Sequence, residues 1–149
     1  MKFPFEALTH SAQETEAVGA ALADALSADP SLPRFVAMYG DLGVGKTAFT
    51  RGFASVISPN SAVRSPTFAI VNEYRGDSSV YHFDMYRIAD EDDLYSVGFY
   101  DYLSGTGYCI AEWCENIPYA IPEEFIEVRI EKTSAHTPDD RRIFISKKD

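Results

Sequence analysis

Between Arg87 and Arg129 the chain has no lysine or arginine, and the same stretch holds ten acids, running from Asp90 through Glu112 to Glu127. The full 149 residues carry 13 basic and 23 acidic side chains, a formal charge of −10. Such a surface repels a phosphate backbone, so direct binding to nucleic acid is not expected and a basic protein partner is easier to accommodate. Long apolar runs are also missing: none approaches about 18 residues, which excludes a membrane-spanning helix. The start, "MKFPFEALTHSAQETE", has no apolar h-region, so no signal peptide is read and a cytoplasmic location is expected. Cysteine is scarce. Cys109 and Cys114 have no histidine near them in sequence. They are read as structural thiols rather than a zinc set or a disulfide.

The length suits one domain, 1–149, with a core of its own. "SAQETEAVGAALADALSA" (11–28) places Val18, Ala21, Leu22, Ala25 and Leu26 on one helical face, and Ser11 with Glu14 forms a capping-box pattern. "RFVAMY" reads as a buried strand bounded by Pro33 and Gly40, and Phe49, Phe53, Val56 and Ile57 mark a second helix. "FAIVNEY" (68–74) and "SVYHFDMY" (79–86) read as two strands joined by a short turn. "DEDDLYSVGFYDYLS" then reads as one helix with an acidic first turn, and "YCIAEW" (108–113) as another buried strand. "EFIEVRIEK" and "RRIFIS" alternate and are expected to pair. The expected class is α/β with a mixed, largely parallel central sheet and flanking helices. Strand order cannot be read from this pattern.

Gly40 to Thr47, "GDLGVGKT", satisfies G-x-x-x-x-G-K-[ST], and it follows an apolar strand and opens a helix. That is the context of a P-loop NTPase. Gly40 lets the chain leave the strand, and Gly43 and Gly45 bring bare backbone close to phosphates. The cradle runs through Gly40, Asp41, Leu42, Gly43, Val44, Gly45, Lys46, Thr47 and Ala48. Its N–H groups point an anion-binding nest at a helix N-terminus. Lys46 is expected to reach the β- and γ-phosphates and the Thr47 hydroxyl to ligate Mg²⁺. Such a site needs a carboxylate near the metal. Asp84, ending "VYHFD", and Glu112, ending "YCIAE", are both placed for it, and spacing does not choose between them. His82, two residues before Asp84, could polarise water, sense the γ-phosphate or buttress Asp84. Thr67 in "SPTF" could offer a hydroxyl to the metal or the γ-phosphate, or cap a turn. Arg51, Arg64 and Arg87 are possible phosphate or partner contacts, and Trp113 could cover the site or simply pack in the core.

No N-K-x-D sequence occurs, which disfavours guanine as the base. A small-molecule kinase needs positive charge on a lid to neutralise the transferring phosphoryl group, and residues 88–128 supply none. An ATPase or a nucleotide-gated binding module is the better reading, with the kinase kept as the alternative.

Together, "YGDLGVGKTAFTRGF", "SPTFAIVNEY", "YHFDMYRI", "DDLYSVGFYDYL" and "IAEW" resemble, in the same order, the bacterial TsaE family, over roughly residues 12–146. Members of that family are the ATPase components of tRNA threonylcarbamoyladenosine biosynthesis. The resemblance implies ATP and Mg²⁺ as cofactors. It implies weak hydrolysis that depends on TsaD-like and TsaB-like partners, with tRNA adenosine 37 reached only through them. It further implies Thr47 and Glu112 as Mg²⁺ ligands, Lys46 as the phosphate-binding lysine, and Thr67 and Asp84 as residues needed for hydrolysis. A late basic residue near the nucleotide could match Arg141 or Arg142. The chain departs at Ala48, where the family usually has a second hydroxyl; backbone N–H groups must then carry an α-phosphate contact, and nucleotide affinity could be weaker without binding being lost. "EWCENI" also replaces the commoner proline after the tryptophan.

Overall fold

The structure is a computed structural model that describes residues 1–41, 43–64 and 70–149. Leu42 and residues 65–69, which include Thr67 and the start of the expected strand 68–74, lie outside the described residues. Seven strands form one sheet in the order β1-β7-β6-β2-β5-β4-β3. They are β1 (Phe5–Thr9), β2 (Phe35–Tyr39), β3 (Val71–Tyr74), β4 (Val80–Asp84), β5 (Tyr108–Glu112), β6 (Phe125–Lys132) and β7 (Arg141–Lys148). The central strands β6, β2, β5 and β4 are mutually parallel. The flanking pairs β1–β7, β6–β7 and β3–β4 are antiparallel. The α/β class and the mixed sheet are as expected from the sequence, and so is the pairing of the last two strands.

Period-two alternation sends successive side chains of the buried strands to opposite faces. On β2, Val36 and Met38 join one core with Leu22, Phe49, Phe53 and Ile110, while Phe35 and Ala37 join the other with Phe83, Phe99 and Ala111. The first face is covered by α1 (Ala12–Ala28) and α2 (Lys46–Ile57). The same alternation carries Glu112, two residues after Ile110, and His82 and Asp84, after Val80, onto that α1–α2 face. The two helices meet backbone to backbone. A Cβ on Gly19 would run into the Phe49 carbonyl, and one on Gly52 into the Glu16 carbonyl. Glycine at both positions is what lets α1 and α2 pack this close to each other.

Two expectations need correcting. The helix read over 90–104 is two short helices, α3 (Glu91–Ser96) and α4 (Phe99–Leu103). Gly98 adopts φ 74° between them, a conformation that glycine takes at little cost and that ends a right-handed helix. The N-terminus contains an unforeseen strand: β1 pairs with β7 along Phe5 to Thr9. Only Thr9 of these five residues is buried, so the segment lacks the apolar signal by which a strand is read. Among the described residues no helix is long and apolar enough to cross a membrane.

Candidate nucleotide-binding site

Because β6, β2, β5 and β4 are parallel, their carboxyl ends share one edge of the sheet, the edge where ligands of such sheets bind. Met38 on β2 is in register with Glu112 on β5, and Glu112 with Asp84 on β4. The glycine-rich loop leaves β2 at this edge. Gly40, Gly43 and Gly45 take φ values of 146°, 76° and 108°, which side chains rarely allow. A Cβ on Gly40 would also collide with the Val44 side chain and the Ile130 carbonyl, whereas one on Gly43 would meet nothing. The loop is therefore tight where it leaves the strand and open at Gly43.

The start of α2 differs from those of α1 and α3. Ser11 Oγ caps α1 by accepting from Glu14 N–H at 3.1 Å, and Asp90 Oδ1 caps α3 by accepting from Asp93 N–H at 3.1 Å. At α2 the N-cap is Gly45, with no side-chain cap, and the first helical bond runs from Phe49 N–H to Gly45 O at 3.0 Å. The N–H groups of Lys46, Thr47 and Ala48 thus open the helix with no capping side chain, which is what an anion site at a helix N-terminus requires.

Lys46 is only 5% exposed. Its Nζ donates to the Gly40 carbonyl at 2.9 Å, lies 3.7 Å from Glu112 Oε1, and sits 4.8 Å from the centre of the Trp113 ring. Trp113 reaches this position through a left-handed backbone conformation, φ 59°, and its ring lies 5.1 Å from that of Tyr86. Glu112 is 6% exposed. Burial would raise its carboxyl pKa, but the His82 hydrogen bond and the nearby charges of His82 and Lys46 outweigh that and hold it below the ordinary carboxylate value. Asp84 is partly buried at the same edge, and its Oδ1 accepts from Tyr86 N–H at 3.0 Å.

His82 is fully buried and faces Glu112: its Nε2 lies 2.6 Å from Glu112 Oε2. Of the roles open to it in the sequence, buttressing is the one its geometry matches, with Glu112 rather than Asp84 as the group supported. On the other side of the ring, Nδ1 is 3.0 Å from the Tyr74 hydroxyl, which also lies 2.9 Å from the Arg64 carbonyl. The sequence reading missed Tyr74. The available signal was its parity, since Tyr74 pairs with Val80 and Asn72 with His82 across β3–β4, which puts Tyr74 on the site's face.

Arg141 and Arg142 separate cleanly. Arg141 donates from Nε to the Val44 carbonyl at 2.6 Å and from its second terminal nitrogen to the Gly43 carbonyl at 3.3 Å. Arg142 points to Glu6, 3.5 Å away. By taking two loop carbonyls, Arg141 holds the peptide planes of the cradle from behind. Arg51 pairs with Glu16 at 2.7 Å, and Arg87 is exposed. A cavity of about 470 Å³ opens beside the loop, bounded by Gly40, Asp41, Val44 and the end of β6 from Arg129 to Lys132.

The donor set suits a phosphate chain with a hard divalent cation. Backbone N–H groups and Lys46 would serve the anion, and the Thr47 hydroxyl and the Glu112 carboxylate would offer oxygen to the metal. No cluster of three or more His, Cys, Asp or Glu able to hold a metal occurs among the described residues.

The family described as "Threonylcarbamoyl adenosine biosynthesis protein TsaE" matches residues 9–143. The chain belongs to the TsaE family. A TsaE relative named "tRNA threonylcarbamoyladenosine biosynthesis protein TsaE" from Bacillus subtilis is 40% identical over 104 residues, covering 69% of this chain and 62% of the relative. The relative of the same name from Haemophilus influenzae is 41% identical, with 64% of this chain and 61% of the relative covered. In both, the match spans less than two thirds of the relative's length. The relative from Rickettsia bellii matches more fully, at 31% identity over 93% of this chain and 91% of its own length. The crystal structure of Bacillus subtilis YdiB superposes with a TM-score of 0.75 at 30% identity, covering 98% of this chain and 87% of that one. The fold is thus of the P-loop NTPase type.

Proposed function

We propose that this chain binds ATP with Mg²⁺ and hydrolyses it slowly, serving tRNA threonylcarbamoyladenosine biosynthesis through partner proteins. The observation that carries the reading is the meeting of Lys46 with Glu112 at 3.7 Å, beside a helix N-terminus that no side chain caps. The pathway comes from membership of the TsaE family and from the names of its relatives.

The loop N–H groups and Lys46 bind and orient the phosphates, and Arg141 keeps the loop in shape from behind. Glu112 and Thr47 hold the metal, which when bound spreads the charge of the β- and γ-phosphates. Asp84 stands beside Glu112 as the group that orients or accepts a proton from water, with Thr67 assisting. Arg141 meets the loop but is engaged by the Gly43 and Val44 carbonyls, and turnover by the protein alone is slow. TsaD-like and TsaB-like proteins are the proposed partners that raise it. The stretch without lysine or arginine, 88–128, disfavours phosphoryl transfer to a small acceptor.

Lys46→Ala should weaken nucleotide binding by about 100-fold, the loss expected when a charge-assisted contact to phosphate is removed. Glu112→Gln should remove the dependence of binding on Mg²⁺. Titration of the purified chain with ATP, with and without Mg²⁺, checks both. Unchanged affinity in Lys46→Ala, or labelled phosphate appearing on a small acceptor, would overturn the reading.

A further inference from the structure

Glu112 presents its two carboxylate oxygens to different neighbours. Oε1 faces Lys46 at 3.7 Å, on the loop side, while Oε2 is taken by His82 Nε2 at 2.6 Å. The terminal torsion of a glutamate is soft, so this second contact decides where the first oxygen points. His82 in turn is oriented through Nδ1 by the Tyr74 hydroxyl at 3.0 Å. Both residues are sealed in the core, at 0% and 5% exposure. A fully buried imidazole is costly unless both nitrogens are partnered, and these are its partners.

Tyr74 continues the chain outward. Its hydroxyl accepts from Arg64 N–H at 3.3 Å and lies 2.9 Å from Arg64 O, which also accepts from Asn72 Nδ2 at 3.1 Å. The hydroxyl donates its single proton to Arg64 O and meets the imidazole at Nδ1. The backbone of Arg64, the last residue before S-P-T-F in the sequence, is therefore joined to Glu112 through two side chains.

We propose that Tyr74 and His82 are positioning residues that tie the Glu112 carboxylate to the backbone of Arg64, so that Mg²⁺ affinity at Glu112 depends on how segment 61–64 is held. The inference rests on the reading of Glu112 as a metal ligand given above. Groups that orient a ligating carboxylate typically change metal affinity by about 10–100-fold when removed.

The test is titration of the full chain with a non-hydrolysable ATP analogue in Mg²⁺ and in EDTA, for wild type, Tyr74→Phe, His82→Asn and the double variant. The quantity read is the gain in affinity that Mg²⁺ confers. Tyr74→Phe should reduce that gain by about threefold to tenfold and His82→Asn by about tenfold or more. Affinity in EDTA should stay within about twofold of wild type, which a merely structural defect in the cradle would not leave intact. Tyr74→Phe should cost nothing further when His82 is already replaced, because the chain is then broken. A wild-type Mg²⁺ gain in Tyr74→Phe and His82→Asn, or strictly additive losses, would overturn the proposal. Tyr74→Phe keeps the shape of the side chain, so its result decides the matter if His82→Asn does not fold. An intact Mg²⁺ gain in Glu112→Gln would instead overturn the metal assignment, and the proposal with it.

Discussion

On its α1–α2 face the sheet meets helices of 17 and 12 residues, whereas the opposite face is covered by helices of 6 and 5. The first face is locked by backbone contact at Gly19 and Gly52. The second is held by edge-to-face aromatic packing, with Phe99 at 6.2 Å from Phe35 and 5.4 Å from Phe83. The buried polar and charged groups follow the same division. Lys46, His82 and Glu112 belong to the α1–α2 side, while Tyr95 and Tyr119 stand exposed on the other at 65% and 53%. A phosphate cradle demands backbone placement to within fractions of an ångström, and a long helix clamped to its neighbour supplies it. The opposite face has only to bury apolar surface, and short helices with large rings are enough.

That contrast can be broken at Phe99, where the largest effect is expected. Phe99→Ala removes the ring that joins α4 to β2 and β4 and should lower stability by about 3–5 kcal/mol, read from urea unfolding. Nucleotide affinity of the folded protein should change by less than about twofold if the faces are energetically separate. Gly52→Ala attacks the other face. It should cost about 1–3 kcal/mol and, unlike Phe99→Ala, weaken nucleotide binding, because α2 must move off α1 to admit the methyl. Equal effects of the two variants on binding would show that the faces are not distinct in this sense.

A change of opposite sign sharpens the comparison at Ala48, in the uncapped first turn of α2. Ala48→Ser should tighten ATP binding by about threefold to tenfold, the worth of one added hydrogen bond, without changing the unfolding midpoint. The smallest effect concerns Cys109, on the aromatic face. Burial pushes its thiol pKa up to about 12, so at pH 8 it is almost wholly protonated and unreactive. Labelling with a thiol reagent should stay slow until denaturant opens that face, and fast labelling of the native protein would show that it opens by itself.

Much of this was readable in the residues. The strand ending at Tyr39, the loop conformation demanded by three glycines, and the helix begun by Lys46 follow from local composition. The short, largely apolar runs of β4 and β5 likewise placed Asp84 and Glu112 at strand ends. His82 was harder. Its nearest acid in sequence is Asp84, but residues two apart on one strand point the same way without touching, and Glu112 on the neighbouring strand is the one in reach. Gly98 divides a helix whose acids and aromatics otherwise read as continuous, since a periodic pattern does not reveal one residue with positive φ. β1 was invisible because a half-exposed edge strand has little apolar signal.

What the sequence determined by itself is therefore local: which backbone could turn at the cradle, which side chains were charged, and which face each strand residue would take. These depend on φ preference and on a period of two, both written in neighbouring residues. Tertiary structure alone decided the partners. Arg141 rather than Arg142 reaches the loop because β7 pairs with β6 in one register, and the chain from Arg64 through Tyr74 and His82 to Glu112 exists only because β3, β4 and β5 lie side by side. Strand order is set by the long-range burial of two faces at once, and no stretch of neighbouring residues carries that information.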